Sequence, residues 1–473
     1  MSLKTINSFP NPLMQYKKLF GRVESWIFLF FLLHLWGIAW PPIEATHSWR
    51  QATGLMVARN YLEGNTGFFY PMTDETNGAS GVVGMEFPIL YYLQAGLTYV
   101  FGGFYGWGRG IHLAITTLGF FYFFALVRHF SSYKFAFTAT IFLLLSAFFT
   151  YARKTMPDTA CLSLMFMGCY FFLQAFRFAK WHHVILAFVF LSLGLLVKIA
   201  AVPMLAVCVF CFLAYRNKPK YAWVLCVPFL AMLPMFYWYF VWNPHLQNAF
   251  GNWYNLGVGL TTGIKGWAGN GGVILHHLVF HPFFSFIAMA CVLWGVVRWF
   301  RHDFRFNYWI PLGLFVLAFV LYAFKSGPIF YTHDYYILPL VPVLCLFAAY
   351  ALNHVKRFYL LILAFFAIES IANQQHDFHW NKGEAYKLAL TSLADKNIPK
   401  NALVAVNGNS NPQELYFLHR KGWNLSDADL NVEKVLEIKK KGCKYLIIGK
   451  NHFDQRFDFE ITFENQAYLV YRL

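Results

Sequence analysis

The chain has 473 residues, of which 58% are hydrophobic, 21% aromatic and 13% charged, and a formal net charge of +16. Soluble globular proteins carry roughly a quarter of their residues charged, so this composition excludes that class, together with disorder and a disulfide scaffold. The basic residues fall in short clusters between apolar runs and form no single patch, which reads as membrane topology and not as a nucleic-acid surface.

In chain order, a polar and basic cytoplasmic N-terminus over 1–23 precedes the first apolar run, which ends at Trp40-Pro41-Pro42 without a small-residue cleavage site. That pattern predicts a retained first span, not a signal peptide. Further apolar runs at about 110–127, 135–152, 158–176, 183–197, 199–215, 221–242, 282–299, 308–324, 335–352 and 357–373 join the first at 24–40. They predict a polytopic α-helical membrane protein of about eleven spans, since such runs approach the length needed to cross about 30 Å of hydrocarbon. Basic clusters mark the cytoplasmic connections: Lys4, Lys17, Lys18 and Arg22; Arg128 and Lys134; Arg177 and Lys180; Arg216, Lys218 and Lys220; Arg298, Arg301 and Arg305; Lys356 and Arg357. Strict alternation cannot satisfy every cluster, so some of these boundaries must shift. The run from Phe87 to Phe101 is apolar enough for an extra crossing, but Pro88–Val100 is read as a helix lying at or dipping into the outer interface, with Tyr91, Tyr92 and Tyr99 in an aromatic belt. A long first external loop then covers 41–109. Seven of the eight cysteines lie in apolar runs, and Cys208 with Cys211 reads as helix packing, not metal ligation.

From about 380 the composition turns polar, predicting an external α/β domain over 380–473. Helical periodicity covers 382–395, 413–419 and 432–441; short strand runs fall at 402–406 and 445–448, and 459–463 and 467–472 read as a strand pair.

Ionisable residues concentrate beside the predicted external boundary. Glu44, His47, Trp49, Arg50 and Gln51 precede a helix ending near Arg59; Glu86 stands before Phe87-Pro88; Asp158 follows Met156-Pro157. Asp158 suits both a site role and an ordinary first-turn carboxylate favoured by the helix dipole. Lys198 interrupts two apolar runs, Lys325 ends another, and His333, Asp334 and Tyr335 open the next. Lysines so placed either snorkel or hold a lipid phosphate. A single His-Asp pair is a weak metal signal, and sugar or phosphate hydrogen bonding suits it better. A secondary transporter or lipid flippase is the competing class, but its ionisable groups would sit near the bilayer midplane and its halves would repeat.

Taken in order, the first-loop acid and helix ending Ala58-Arg59-Asn60, Gly84-Met85-Glu86-Phe87-Pro88, Met156-Pro157-Asp158, Leu195-Leu196-Val197-Lys198 and His333-Asp334-Tyr335-Tyr336 resemble the GT-C superfamily of integral membrane glycosyltransferases. The resemblance covers most of 24–373 and is to the branch of protein O-mannosyltransferases and lipid A aminoarabinose transferases. It implies a GT-C-like catalytic domain over 24–379 in the inner membrane, with the tail periplasmic or extracellular. It also implies transfer of a hexose or pentose from a polyprenyl-phosphate donor to a glycan, lipid or protein acceptor, with inversion. Glu44, Asp158 and Glu86 would be the catalytic carboxylates, and Lys198, Arg50, Lys325 and Arg59 the phosphate ligands. His47, Trp49, Gln51, His333, Asp334 and Tyr335 would line the sugar or acceptor. No cofactor is required, although Glu44 and Asp158 leave room for a divalent ion. One departure stands out: where relatives carry an acidic pair near the start of the first-loop helix, this chain has Arg50 and Gln51. The base is therefore either Glu44, reaching in from upstream, or Asp158.

Overall fold

The computed structural model describes residues 21–215, 223–254, 257–303, 306–451 and 453–473. The basic residues Lys4, Lys17, Lys18, Arg216, Lys218, Lys220 and Arg305, and all but the end of the expected N-terminal segment, lie outside the described residues.

Every apolar run predicted as a span carries helix. Helices long and apolar enough to cross a membrane include Phe104–Phe130, Pro157–Phe178, Trp223–Phe250, Trp309–Ser326 and Asp334–Asn353, and shorter apolar helices accompany them. The 135–152 run breaks after Tyr133–Leu144 and resumes as the short Phe148–Tyr151 turn, while 199–215 starts as a 3-10 segment, Ile199–Leu205, before Ala206–Ala214. Pro203 in that segment lacks an amide hydrogen, which favours the tighter start. The run considered as an extra crossing forms Ile89–Phe101. Its 13 residues span about 20 Å as a straight helix, short of the hydrocarbon thickness.

Pro157–Phe178 lies at the centre of the bundle with nearly every side chain buried. It packs along Trp181–Val197 as an antiparallel neighbour, and two glycines set the closeness. A Cβ on Gly168 would stand 2.7 Å from Leu191, and one on Gly194 would stand 2.9 Å from the Met165 sulfur. Small residues at a membrane helix contact let backbones approach in this way. The consequence for the site is direct: the start of one helix and the end of the other, Asp158 and Lys198, meet at the same level.

The tail forms a five-stranded sheet in the order Gly422–Asn424, Leu403–Val406, Cys443–Gly449, Tyr468–Arg472, Glu460–Glu464. The first three are parallel, with Val404 opposite both Gly422 and Tyr445, and the last two antiparallel. One face packs Val404, Tyr416 and Val470 against Ile43, Ala52, Leu55 and Met56 of the first loop. The other is covered by Val435 and Ile438 of Val432–Lys440. The short strand Gly422–Asn424 was not predicted, because three residues carry too little alternation to read. Its outer edge meets the first loop, where Gly422 N donates to Asp74 O (2.9 Å) and Thr76 N to Gly422 O (2.8 Å). At the domain boundary, Asn381 N donates to Ile43 O (2.8 Å) and Glu44 bridges to Trp380.

Candidate functional site

The site is organised by the Ser48–Leu62 helix and the turn before it. His47 caps that helix in the left-handed region, with φ 55°, a conformation uncommon for a residue with a Cβ. Ser48 Oγ donates to Glu44 O at 2.5 Å and ties the turn down. Adjacent residues on a helix face different directions. Arg50 and Gln51 accordingly reach two different carboxylates, Glu86 and Glu44.

Glu44 is buried, ion-paired with the buried Arg109, and receives Gln51 Nε2 at 3.2 Å. Gln51 Oε1 in turn accepts from Thr155 N at 3.2 Å, pinning the turn that leads into Asp158. Burial alone would raise the Glu44 carboxyl, but the charges of Arg109, Lys154 and Arg153 and the Arg109 hydrogen bond bring it below the usual carboxylate range. The acid is thus ionised, neutralised and closed off.

Glu86 is positioned by its backbone neighbours. Met85 O accepts from Trp238 Nε1 and from Asn243 Nδ2, both at 2.8 Å, and Phe87 N donates to Leu196 O at 3.3 Å, two residues before Lys198. The Glu86 carboxylate binds Arg50 and receives the Tyr91 hydroxyl at 2.8 Å. Burial opposes its ionisation, but Arg50, Lys198 and the Tyr91 hydrogen bond outweigh it and lower its pKa. Burial likewise disfavours the Arg50 cation, and the Glu86 charge more than restores it.

Asp158 Oδ1 meets Lys198 Nζ at 2.5 Å, while Oδ2 is buried without a hydrogen-bond partner among the described residues. Lys198 Nζ also lies 4.9 Å from the centre of the Tyr335 ring and 5.2 Å from that of Tyr336, within range of cation–π attraction. His47 stands edge-on to Tyr335, with ring centres 4.9 Å apart. His47 Nε2 donates to Asp334 Oδ1 at 2.7 Å, and the same oxygen accepts the Tyr151 hydroxyl. His333 stacks on His47 at 5.6 Å, and Trp49 closes on His333 at 5.2 Å.

Exposure divides these groups into two layers. The side chains of His47, Arg50, Glu86, Lys198 and Asp334 are 11–14% exposed, whereas those of Glu44, Arg109, Asp158, Lys154 and Asp377 are at most 4% exposed. The first group keeps partial exposure; the second is buried beneath it in the ion-pair network.

Two expected residues stand elsewhere. Arg59 pairs with Asp74, donates to Tyr416 O at 3.0 Å and lies over the Tyr416 ring, so it fastens the tail domain instead of facing a phosphate. Lys325 is exposed at the end of Phe306–Ser326, and its carbonyl accepts from Val258 N. Glu44 and Asp158, considered as a metal pair, each have their own cation, and no group of three or more potential metal ligands converges among the described residues. Sequence reasoning missed Arg109, Tyr151 and the buried pair of Lys154 with Asp377. The signal for Lys154 was present: Arg153-Lys154 adjoins the Asp158 turn. Lys154 Nζ donates to Thr46 O at 2.6 Å and to Asp377 Oδ1 at 2.7 Å, so it braces the His47 turn from below.

Residues 86–238, which begin at Glu86 and include Asp158 and Lys198, match the family described as dolichyl-phosphate-mannose-protein mannosyltransferase. The fold is similar to that of ArnT from Cupriavidus metallidurans bound to undecaprenyl phosphate, at 14% identity over 95% of this chain and 98% of that one, with a TM-score of 0.63. The apo state of the same protein matches at 13% identity, 95% and 98% coverage, and a TM-score of 0.59. The Archaeoglobus fulgidus oligosaccharyltransferase tethered with an acceptor peptide matches at 13% identity over 89% of this chain and 69% of that one, with a TM-score of 0.55. No curated protein sequence matches the chain. The chain shares the fold of these two solved proteins.

Proposed function

We propose that this multi-pass GT-C chain transfers a sugar from a polyprenyl-phosphate-linked donor to an acceptor hydroxyl at the external face of a bacterial inner membrane, inverting the anomeric centre. The observation that carries the reading is the convergence of Arg50 and Lys198, two cations from separate elements near enough to feel each other's charge, each held by its own carboxylate and each partly exposed. Departure of a lipid phosphate builds negative charge that preorganised cations stabilise. In this reading Glu86 holds Arg50, Asp158 holds Lys198, and the unpartnered Asp158 Oδ2 accepts from a sugar hydroxyl. Trp49, His333 and Tyr335 supply aromatic and polar walls. Glu44, one of the two carboxylates weighed as base, acts as a sealed brace under the His47 turn. A single direct displacement inverts the anomeric carbon.

The donor sugar is a hexose or pentose and the acceptor a glycan, a lipid or a protein; the tail domain, docked on the first loop beside Glu44, is suited to help select it. A transporter or flippase fits less well, because the ion-paired side chains gather at helix ends and not at mid-helix. Mass spectrometry of lipids retained by the gently purified protein tests the choice. Polyprenyl phosphate, with or without a sugar, is the expected cargo; a consistent different cargo with no polyprenyl species would favour transport.

A further inference from the structure

We infer that His47, oriented by Asp334, is the general base that takes the proton from the acceptor hydroxyl. This inference rests on the transferase reading above. The base assignment is open because the carboxylates are committed elsewhere: Glu44 to Arg109 and Gln51, Glu86 to Arg50 and Tyr91, Asp158 to Lys198. A carboxylate held by a cation is a weaker proton acceptor than a free one, and an imidazole is intrinsically better matched to neutral pH than either.

The geometry of His47 is that of an oriented base. With Nε2 donating to Asp334 Oδ1 at 2.7 Å, the neutral ring carries its proton on Nε2 and its lone pair on Nδ1. Nδ1 is buried and has no hydrogen-bond partner among the described residues, an unsatisfied acceptor that a substrate hydroxyl entering beside it would satisfy. Asp334 is itself held by the Tyr151 hydroxyl, giving the order base, orienting carboxylate, supporting phenol. The left-handed backbone at His47, with φ 55°, is the kind of local strain that persists where surrounding contacts over-determine it, as at reactive sites. Lys154 and Ser48 supply those contacts at Thr46 O and Glu44 O. His47 and Lys198 both border the Tyr335 ring, so a proton acceptor and a phosphate ligand share one neighbour.

The acceptor oxygen bonds to the anomeric carbon as its proton passes to Nδ1. The bond from that carbon to the lipid phosphate oxygen breaks, and its electron pair leaves with the phosphate. The new imidazolium is compensated by Asp334, and the added phosphate charge by Lys198 and Arg50. The charged and titratable groups around His47 include Asp334, Tyr151, His333, Tyr335 and His281, with Lys154, Asp377 and His376 at the adjoining Thr46.

The test uses the full-length protein in nanodiscs, with undecaprenyl phosphate as the binding probe and the lipid-linked sugar recovered from the purified protein as the donor. His47→Gln is expected to bind undecaprenyl phosphate within about twofold of the unsubstituted protein while kcat falls about a hundredfold to ten-thousandfold. Asp334→Asn is expected to retain part of the turnover and to move the acidic limb of the kcat/KM profile to lower pH, because the imidazolium loses its counter-charge. A structural role for the pair would not move that limb. Full kcat with an unchanged acidic limb in His47→Gln, or an unmoved limb in Asp334→Asn, overturns the assignment. Failure of the unsubstituted protein to bind undecaprenyl phosphate and transfer sugar overturns the transferase reading instead, so the two failures are distinct.

Discussion

The Asp158–Lys198 pair permits a quantitative test of how the phosphate site is built. Its charges approach to 2.5 Å, with the Asp158 side chain 4% and the Lys198 side chain 13% exposed. Breaking a buried pair by removing one partner costs about 3–5 kcal/mol, because an uncompensated charge stays behind. Lys198 keeps some access to polar surroundings, so Asp158→Asn belongs at the lower end, about 3 kcal/mol. Lys198→Met strands the more deeply buried carboxylate and should cost at least as much. The double substitution leaves neither charge stranded and should cost less than either single change, giving a coupling energy larger than about 3 kcal/mol. Only the stability recovers: without the ammonium, one charge-assisted hydrogen bond to phosphate, worth about 1.5–3 kcal/mol, is missing. Undecaprenyl phosphate should therefore bind roughly tenfold to a hundredfold more weakly to Lys198→Met and to the double variant alike. Reversible unfolding in mixed micelles measures the first quantity, and lipid titration the second. Additive stability losses, with coupling below about 0.5 kcal/mol, would refute the pair as an electrostatic unit. Unchanged lipid affinity in Lys198→Met would refute its phosphate role.

Glu44→Gln should cost about 3 kcal/mol or more in stability, since it strands Arg109 among buried groups. In whatever fraction folds, the pH profile of transfer should keep its shape; loss of the acidic limb in this variant would return the base role to Glu44. Stability itself should depend on pH through His333 and His281, which burial and neighbouring histidines, His47 beside His333 and His277 beside His281, hold down at about 4. An unfolded histidine titrates near 6.5, so the unfolded chain binds more protons between those values. Stability from these residues is present above about pH 6.5 and declines as pH falls toward 4. Unfolding midpoints across that range, compared with those of a His333→Asn/His281→Asn protein, should show a shallower decline in the double variant; parallel curves would exclude both residues.

What could be read from the sequence and what required the fold divide along a physical line. Hydropathy and length reveal helices one at a time, because burial in lipid imposes apolar runs on each segment independently. The same local logic located most of the tail domain, where short apolar strand runs at 402–406 and 445–448 and helix periodicity at 432–441 stand out. Odd polar residues beside apolar runs drew attention to Glu86, Asp158, Lys198 and His47, since ionisable groups are expensive at a membrane boundary and need a reason to be there. Which charge meets which was not legible. Gln51 rests on Glu44 and Thr155, Lys154 on Thr46 and Asp377, and Arg59 on Asp74 and Tyr416, partners up to hundreds of residues apart. The pairing of Asp158 with Lys198 follows from the antiparallel packing of two helices, and that of His47 with Asp334 from the closure of the first loop over the bundle. Sequence by itself placed these groups beside the ends of apolar runs; only the tertiary structure decided which counter-charge each one meets and which pairs are fully buried or partly exposed, because charge compensation and burial are properties of spatial neighbours.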